Sequence, residues 1–366
     1  MSDTSAEYFM RLALKEARKG FGRTSPNPCV GAIIVKDDAV IASGYHRRAG
    51  TPHAEIHALH MAGTNAAGAD MYVTLEPCSH YGRTGPCSHA VAAAGIKKVI
   101  VGMRDPNPQV NGSGIDYLRS RGLEVRCGVL EKECREINKA FLKYILSARP
   151  LVVMKAGLSL DGRLSYRPGA GEAITGPESF RKVHHLRDTI DAILVGIGTV
   201  RADDPSLTTR LVRGRGRDPL RIVLDSKLQI DENAQLLRVS PETRTWIFCL
   251  DTADSKKMAD LRERGIMISA VAPDNLGRVA LDEVLKMVAA RNITSVMVEG
   301  GATVHGAFLN ERLVDSVYLF YAPVFAGDGG VPLISGYQVY GGKKQAIQLG
   351  NITTRWYGRD LLVRGD

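Results

Sequence analysis

The chain has 366 residues, more than a single hydrophobic core usually holds, and this length predicts two domains. Its composition, 44% hydrophobic and 24% charged, is typical of a globular protein and excludes a disordered or fibrous chain. The formal net charge is +9, but the sequence contains no run of five basic residues, and aromatic residues make up only 6%. We therefore expect an anionic small molecule as partner rather than a nucleic acid.

Membrane segments and disulfides are not expected either. No run of eighteen apolar residues occurs, and the first residues, MSDTSAEYFM, lack the basic and apolar regions of a signal peptide. These patterns predict a cytoplasmic location without membrane association. Six cysteines in a chain of this length do not indicate a disulfide framework. The oligomeric state is left open, and a homo-oligomer is compatible with the sequence.

Metal-ligand residues lie at the ends of predicted elements in the N-terminal part. Residues 54–62 (AEIHALHMA) have helical apolar spacing, which places His53 and Glu55 in the first turn of a helix. Residues 71–75 (MYVTL) are typical of a buried strand, and Cys78 follows its carboxyl end. The imidazole and the first thiol are therefore expected at neighbouring element ends.

A second thiol, Cys87, opens another predicted helix, which stops at Gly95. Zn²⁺ bound by one imidazole and two thiolates keeps a fourth position for a water molecule, whose pKa the ion lowers. The H-x-E and P-C…C pattern is the signature of zinc nucleobase deaminases, in which the Glu moves protons and is not a ligand. A structural zinc ion, or unrelated buried cysteines, is the alternative. We predict a catalytic zinc site formed by His53, Cys78 and Cys87, with Glu55 as the catalytic proton carrier.

Four ordered motifs extend this pattern: PNPCVGA (26–32), HAE (53–55), EPCSHYGRTGPC (76–87) and DPNPQVNGSG (105–114). Together they resemble the deaminase half of the bacterial bifunctional riboflavin-biosynthesis deaminase/reductases. The resemblance implies a cytidine-deaminase-like α/β/α domain with a mixed sheet. It also implies that the insert and the DPNP loop hold the substrate's phosphoribosyl arm through Arg83 and Asn107, with Asn27 near the ring. A solvated loop charge at Arg83 and turn chemistry beside proline at both asparagines are the alternatives.

The pattern changes near residue 147. A predicted helix over 131–146 ends before Pro150, and an apolar strand follows. We therefore predict domains at 1–147 and 148–366. Strands and helices then alternate, which indicates a second α/β domain. The predicted strands are 151–156, 191–196, 220–225, 245–250, 266–271, 295–299 and 316–321, and the predicted helices are 177–187, 254–264, 280–291 and 302–310.

The second half contains a late glycine-rich turn, VEGGAT (298–303), between a predicted strand and helix. Glycines allow close backbone approach, and a helix N-terminus favours phosphate. Alone this signal is weak, but KAGLSLDGR (155–163), GTVRADDPSLTTR (198–210) and LDS (224–226) also follow predicted strands. This set resembles the reductase half of the same family. The resemblance implies a dihydrofolate-reductase-like fold and NADPH as the cofactor.

The resemblance also assigns residues in this half. Lys155, as the catalytic residue, and Glu299 would lie near the reacting sugar, and Arg187 and Arg210 offer fork-shaped donors for a phosphate. As alternatives, Asp203 caps a turn and Arg187 ends a helix, where cations are favourable. An aromatic residue often precedes Ile174-Thr175 in the family, whereas this chain has Ala173. The implied cofactor contacts are Gly157, Ala173, Thr199, Asp203, Ser226, Gly300, Gly301, Ala302, Thr303, Val304 and His305, and the implied substrate contacts are Gly171, Arg187, Leu207, Arg210 and Glu299.

The function implied by the resemblance has two steps. The N-terminal half would remove the exocyclic amine of 2,5-diamino-6-ribosylamino-4(3H)-pyrimidinone 5′-phosphate by hydrolysis. The C-terminal half would then reduce the ribosyl group of 5-amino-6-(5-phosphoribosylamino)uracil to ribityl with NADPH. Two alternatives stay open: a tRNA- or nucleoside-directed deaminase fused to an unrelated oxidoreductase, and a nucleotide sensor without turnover.

Overall fold

A computed structural model describes residues 3–81, 85–108, 110–169, 172–211, 214, 216–238 and 244–366. The chain forms two compact units, Met1–Arg149 and Pro150–Asp366. Among the described residues, no helix is both long enough and apolar enough to span a bilayer.

The N-terminal unit is built on a five-stranded mixed sheet. Its strands are β1 (Gly31–Lys36), β2 (Ala39–Tyr45), β3 (Asp70–Leu75), β4 (Lys98–Met103) and β5 (Glu124–Cys127). They lie in the order β2-β1-β3-β4-β5, with β1 antiparallel to both neighbours and β3, β4 and β5 parallel. The strands β1, β3 and β4 are almost wholly buried, which is why they read as continuous apolar runs. The predicted mixed sheet is confirmed.

Helices cover this sheet, and candidate functional residues lie at the starts of two of them. They are α1 (Asp3–Ala17), α2 (Ala54–Ala62), α3 (Cys87–Ala93), α4 (Ser113–Ser120), α5 (Glu131–Ile137) and α6 (Lys139–Ser147), with 3₁₀ turns at Arg18–Gly20 and Gly63–Ala66. The predicted helices at 54–62 and from Cys87 are confirmed. One hydrophobic core joins α1, α2 and α4 to the sheet.

The predicted single helix over 131–146 is wrong. The chain forms two helices that meet at Asn138, where φ is −105° and ψ is 16°. Asn138 is 2% exposed, and its side chain bonds to a residue that is distant in the sequence. Its Oδ1 accepts from the Cys29 backbone N–H at 2.7 Å, and its Nδ2 donates to the Cys29 carbonyl at 3.1 Å. Helical periodicity alone carries no information about a partner 109 residues away.

The C-terminal unit contains a nine-stranded sheet and a two-stranded sheet. The larger sheet has the order β11-β10-β9-β8-β12-β6-β13-β16-β15, and the smaller pairs β14 with β7. The first seven strands of the larger sheet are parallel, and β16 is antiparallel to β13 and β15. The strands are β6 (Leu151–Leu158), β7 (Arg163–Ser165), β8 (Ala192–Gly196), β9 (Leu220–Leu224), β10 (Thr245–Leu250), β11 (Met267–Val271), β12 (Ser295–Val298), β13 (Ser316–Tyr321), β14 (Val331–Pro332), β15 (Thr353–Tyr357) and β16 (Asp360–Gly365).

The connecting helices agree with the predicted alternation. They are α7 (Pro177–Thr189), α8 (Ile197–Asp203), α9 (Ser255–Glu263), α10 (Leu281–Ala290) and α11 (Ala302–Asn310), with 3₁₀ turns at Gln235–Leu237 and Gly342–Lys344. All seven strands and four helices predicted for this half are confirmed within two residues at each end. The largest differences are at the carboxyl ends of α7 and β6, where each runs two residues further than predicted. The sequence analysis missed α8 and the strands β7, β14, β15 and β16.

Parallel pairing fixes where the functional residues of this unit gather. The carboxyl ends of parallel strands lie at one edge, where α/β sheets bind their ligands. Val298 is opposite Met154 in the pairing of β12 with β6, so Glu299 and Lys155 come next on adjacent strands. Residues after β8 and β9 reach the same edge.

Asn138→Ala should lower the free energy of unfolding of the N-terminal unit by about 2–4 kcal/mol. The substitution leaves the N–H and C=O of Cys29 without the bonds that Asn138 provides, and each such buried group costs about 1–3 kcal/mol. Chemical denaturation of the full chain, followed by a signal from the N-terminal unit, measures this change. Asn65→Ala, at an exposed position, is the matched control and should change stability by less than about 0.5 kcal/mol. Equal stability of the two variants would contradict the proposed tie.

Candidate active sites

The three predicted zinc ligands converge in the N-terminal unit. His53 is the N-cap of α2 with extended backbone, Cys87 is the first residue of α3, and Cys78 follows β3. The Sγ atoms of Cys87 and Cys78 lie 3.2 and 3.6 Å from His53 Nδ1. All three donor atoms lie within 4.8 Å of one another, and they form the one such cluster of His, Cys and acidic groups among the described residues.

This donor set fits a zinc ion. Zinc bonds of about 2.0 Å to nitrogen and 2.3 Å to sulfur place tetrahedral ligand atoms roughly 3.5 Å apart, as the sulfur–nitrogen distances here are. The pocket also favours a thiolate. Hydrogen bonds from Cys87 and from His53 hold the pKa of Cys78 well below its usual range, although burial opposes this. Three protein donors leave one tetrahedral position for a further ligand, as in catalytic sites.

Glu55 lies beside these donors but is not one of them. Its side chain is buried, and Oε2 has no hydrogen-bond partner among the described residues. Burial raises the pKa of Glu55 to about 7, against the opposing effect of His53. A carboxyl group that titrates near neutral pH can both accept and return a proton.

Asn27 reaches this site through a histidine that the sequence analysis missed. Its Nδ2 lies 3.2 Å from His46 Nε2, and His46 Nδ1 lies 3.2 Å from the Pro52 carbonyl. Since an amide N–H₂ donates and a carbonyl accepts, His46 must be neutral with its proton on Nδ1. The rings of His46 and His53 pack edge to face at 5.2 Å. Asn27 is therefore oriented one ring away from the metal ligands.

Glu76, also missed, ties the DPNP loop to the strand that leads to Cys78. Its carboxylate accepts four backbone N–H bonds, from Asp105, Gly112, Gly114 and Ile115, at 2.9–3.2 Å. Gly114 allows this approach, because a Cβ there would lie 1.9 Å from the Pro77 carbonyl. The signal was the E-P-C order itself, with a carboxylate at a strand end and glycines in the later loop.

Of the two residues assigned to the phosphoribosyl arm, one can be placed. Asn107 lies in the loop that Glu76 fixes, and its N–H donates to Asp105 Oδ1 at 2.9 Å, which is the turn chemistry given above as the alternative. Burial raises the pKa of Asp105 to about 6. Substrate contact by Asn107 stays a prediction. Arg83 lies outside the described residues.

In the C-terminal unit, Glu299 joins Lys155 and Arg187 in a buried ion-pair cluster. Glu299 Oε2 is 2.9 Å from Lys155 Nζ, and Arg187 Nε and Nη2 each donate to the carboxylate at 2.8 Å. Burial alone would raise the pKa of Glu299, but Arg187 and then Lys155 outweigh it and hold that pKa well below its usual range. The cluster thus keeps an ammonium group at the strand edge.

The Arg187 guanidinium is therefore largely occupied by hydrogen bonds to other groups of the protein. Besides the two bonds to Glu299, its Nη1 donates to the Thr208 carbonyl at 3.2 Å. Its guanidinium orients Glu299 and connects α7 to the segment before Arg210. The predicted phosphate contact by Arg187 remains untested, and the geometry gives the residue this structural task as well.

The glycine-rich turn lies at the same edge. A Cβ on Gly300 would lie 2.7 Å from the Gly196 nitrogen and the Val195 Cα, so only glycine fits against the end of β8. Gly301 has φ of 22° and caps α11, and Thr199 Oγ1 lies 3.2 Å from where its Cβ would be. The start of α11, with Ala302, Thr303, Val304 and His305, thus faces the start of α8.

His305 is buried, with Nδ1 3.1 Å from the Leu333 carbonyl. Burial lowers the pKa of His305 to about 4, so the ring is neutral at physiological pH. This histidine anchors the first turn of α11 through its side chain.

The remaining assigned residues lie around these elements. A Cβ on Gly157 would lie 3.1 Å from Thr175, so the segment that contains the exposed Ala173 approaches β6. Asp203 ends α8, and burial raises its pKa. Ser226 follows β9 and accepts from the Val279 N–H.

The two substrate assignments after α8 differ in character. Leu207 has φ of 50° and a side chain in the hydrophobic core, which leaves only its backbone to meet a ligand. Arg210 is exposed, and its backbone N–H donates to His184 Nδ1 at 3.0 Å. Gly171 lies outside the described residues.

Comparisons with known proteins agree with both sites. Residues 3–103 match the family of the cytidine and deoxycytidylate deaminase zinc-binding region, and residues 150–362 match the RibD C-terminal domain family. A riboflavin biosynthesis protein RibD from Bacillus amyloliquefaciens is 43% identical over 90% of this chain and 88% of its own length. The Escherichia coli protein of that name is 41% identical over 88% of each chain.

Solved structures cover the whole chain. RibD from Acinetobacter baumannii is 34% identical with a TM-score of 0.89, over 100% of this chain and 99% of its own. A diaminohydroxyphosphoribosylaminopyrimidine deaminase/5-amino-6-(5-phosphoribosylamino)uracil reductase from Thermotoga maritima is also 34% identical, with a TM-score of 0.87 over 99% of each chain. The chain belongs to the RibD family of bifunctional riboflavin-biosynthesis enzymes, which join a zinc-dependent deaminase to an NADPH-dependent reductase.

Proposed function

We propose that residues 1–147 deaminate 2,5-diamino-6-ribosylamino-4(3H)-pyrimidinone 5′-phosphate, and that residues 148–366 then reduce 5-amino-6-(5-phosphoribosylamino)uracil. The observation that carries the proposal is the convergence of His53, Cys78 and Cys87 on one point with the buried Glu55 beside them. The names of the relatives supply the substrate identity. A cytoplasmic location and a homo-oligomer remain predictions.

In the deaminase site, Glu55 is the proton carrier. A zinc ion bound by the three donors supplies the Lewis acidity that makes a water molecule nucleophilic near neutral pH. Glu55 would take the first proton of the attacking water and deliver it to the ring nitrogen. It would then move the second proton, from the hydroxyl of the resulting adduct, to the leaving amine, so that ammonia departs and a carbonyl remains. Its pKa of about 7 suits both transfers. Asn27, oriented by His46, would hold the pyrimidine ring.

In the reductase site, Lys155 supplies a proton. The predicted residues around the Gly300-Gly301 turn would hold NADPH, which would supply the hydride for C1′ of the ring-opened sugar. As the C1′–nitrogen double bond becomes single, Lys155 donates a proton to the nitrogen, and the product is the ribityl amine. Glu299 Oε2 lies 2.9 Å from Lys155 Nζ and fixes the position of this side chain. The nearby Arg210 is predicted to donate hydrogen bonds to the substrate phosphate.

Cys87→Ser should abolish stoichiometric zinc and, with it, deamination. The substitution replaces a thiolate by a hydroxyl that binds zinc poorly, and two protein donors remain. Metal analysis of the purified full chain gives the zinc content, and ammonia release gives the activity. Cys127→Ser, in the same unit but outside the cluster, should retain both. One zinc per chain in the Cys87→Ser variant would show that the ligand set is incorrect.

Glu55→Gln should keep zinc but slow deamination by about 10²–10⁴-fold, because an amide cannot take the proton of the attacking water. Metal content and the single-turnover rate of ammonia release are measured on the same sample. NADPH oxidation with the deaminated substrate should be unchanged, which serves as the internal control. If zinc were lost together with activity, Glu55 would be a ligand and not a proton carrier.

Lys155→Met should reduce NADPH oxidation by about 10²-fold or more, since the variant has no proton to donate. Glu299 keeps its two bonds from Arg187, so the unit should still fold. Steady-state assays with the deaminated substrate measure the rate, and deamination by the same variant should stay normal. Lys256→Met, at an exposed position, is the matched control. Unaltered reduction with unaltered NADPH binding would place hydride transfer elsewhere.

A further inference from the structure

His184 is a buried histidine that the steps above do not use. It lies on α7 with 1% of its surface exposed, and its Nδ1 accepts from the Arg210 backbone N–H at 3.0 Å. Because a backbone N–H can only donate, Nδ1 carries no proton and the neutral ring bears its hydrogen on Nε2. Burial, followed by the charges of Arg187 and Arg210, lowers the pKa of His184 to about 4 and keeps the ring neutral.

Phe180 lies one helical turn before His184 and completes a contact with the same arginine. The two rings pack edge to face with centroids 4.5 Å apart. The Arg210 guanidinium carbon lies 5.7 Å from the Phe180 ring centroid, within the range of a cation–π contact. One face of α7 thus contacts Arg210 in two places. His184 accepts from the Arg210 backbone N–H, and Phe180 packs against the Arg210 guanidinium.

The guanidinium of Arg210 is available to a ligand. Within the part of the chain that the structure describes, Arg210 makes no ion pair, whereas Arg187 is bound to Glu299 on two nitrogens. Arg210 nevertheless lies near the Glu299 ion-pair cluster. The charge of Arg210 and those of the three cluster residues all affect the pKa of His184. A cation that is fixed in place but not neutralised suits an anionic group.

We propose that His184 and Phe180 are positioning residues that hold Arg210 with its guanidinium directed at the phosphate of the reductase substrate. This inference rests on the proposed function. A guanidinium that is already fixed loses less conformational freedom when it binds phosphate, so affinity rises without any direct contact from His184 or Phe180.

The test compares the KM of position-184 variants and a control variant for the deaminated nucleotide with and without its 5′-phosphate. His184→Leu removes the acceptor and should raise KM for the phosphorylated substrate about threefold to tenfold, the usual effect of one hydrogen bond. kcat should change far less, and KM for the dephosphorylated compound should not change. His184→Asn places an amide oxygen near the position of Nδ1 and should restore most of the affinity. His185→Leu, at the exposed neighbouring histidine, is the matched control and should resemble the wild type.

Phe180→Leu keeps the experiment informative if His184→Leu folds poorly, because Phe180 is 46% exposed. Loss of the cation–π contact should raise KM for the phosphorylated substrate about twofold to fivefold. A double-mutant cycle then asks whether the effect passes through Arg210. With Arg210→Ala already present, His184→Leu should add nothing.

Several results would overturn the proposal. One is an equal KM increase with and without the phosphate, and another is additivity of His184→Leu with Arg210→Ala. His184 Nε2 has no hydrogen-bond partner among the described residues. If His184→Gln, which mimics Nε2, restored affinity and His184→Asn did not, His184 would contact the ligand directly. Failure of the proposed function looks different, because the wild-type chain itself would then not reduce this substrate.

Discussion

Burying a carboxylate costs several kcal/mol unless donors surround it, and each unit of this chain buries one directly after a strand. In the N-terminal unit Glu76 follows β3 and accepts four backbone N–H bonds, two from the loop that begins at Asp105 and two from the first turn of α4. In the C-terminal unit Glu299 follows β12 and accepts from Arg187 and Lys155. Both carboxylates draw segments that are distant in sequence to the carboxyl edge of a parallel strand. Both anchors join the loops that line the sites to the sheet.

Glu55 is also a buried glutamate, but within the described part of the chain it is not, unlike Glu76 and Glu299, surrounded by hydrogen-bond donors. It is as buried as Glu76, but one of its oxygens has no partner among the described residues, and its pKa is raised to about 7 by burial. Glu299 has its charge fully compensated, and its pKa is held low by Arg187 and Lys155. The difference separates a carboxyl group that can exchange protons from one that serves as a fixed anion. The number of hydrogen-bond donors around each buried glutamate thus determines whether it can take part in proton transfer.

The sequence could predict the parts of this arrangement that local patterns encode. His53, Cys78 and Cys87 lie at helix starts and a strand end, and these ends follow from apolar periodicity and from proline and glycine positions. The same reasoning gave the alternating elements of the second unit. It could not find the break at Asn138, which depends on Cys29, or the commitment of Arg187 to Glu299, which lies 112 residues away. Partners of buried polar groups follow from tertiary packing, which local sequence does not encode.

The charge balance at the reductase edge follows from these long-range pairs. One carboxylate, Glu299, faces two cations, Arg187 and Lys155, so the cluster carries a formal charge of +1. Arg210 adds a further cation near it. A site made only of cations would bind phosphate but would place Lys155 among like charges, which repel one another. A site with matched charges would pair the lysine but would not attract a dianion. Glu299 resolves this conflict by stabilising the ammonium group locally while it leaves a positive surplus for the ligand.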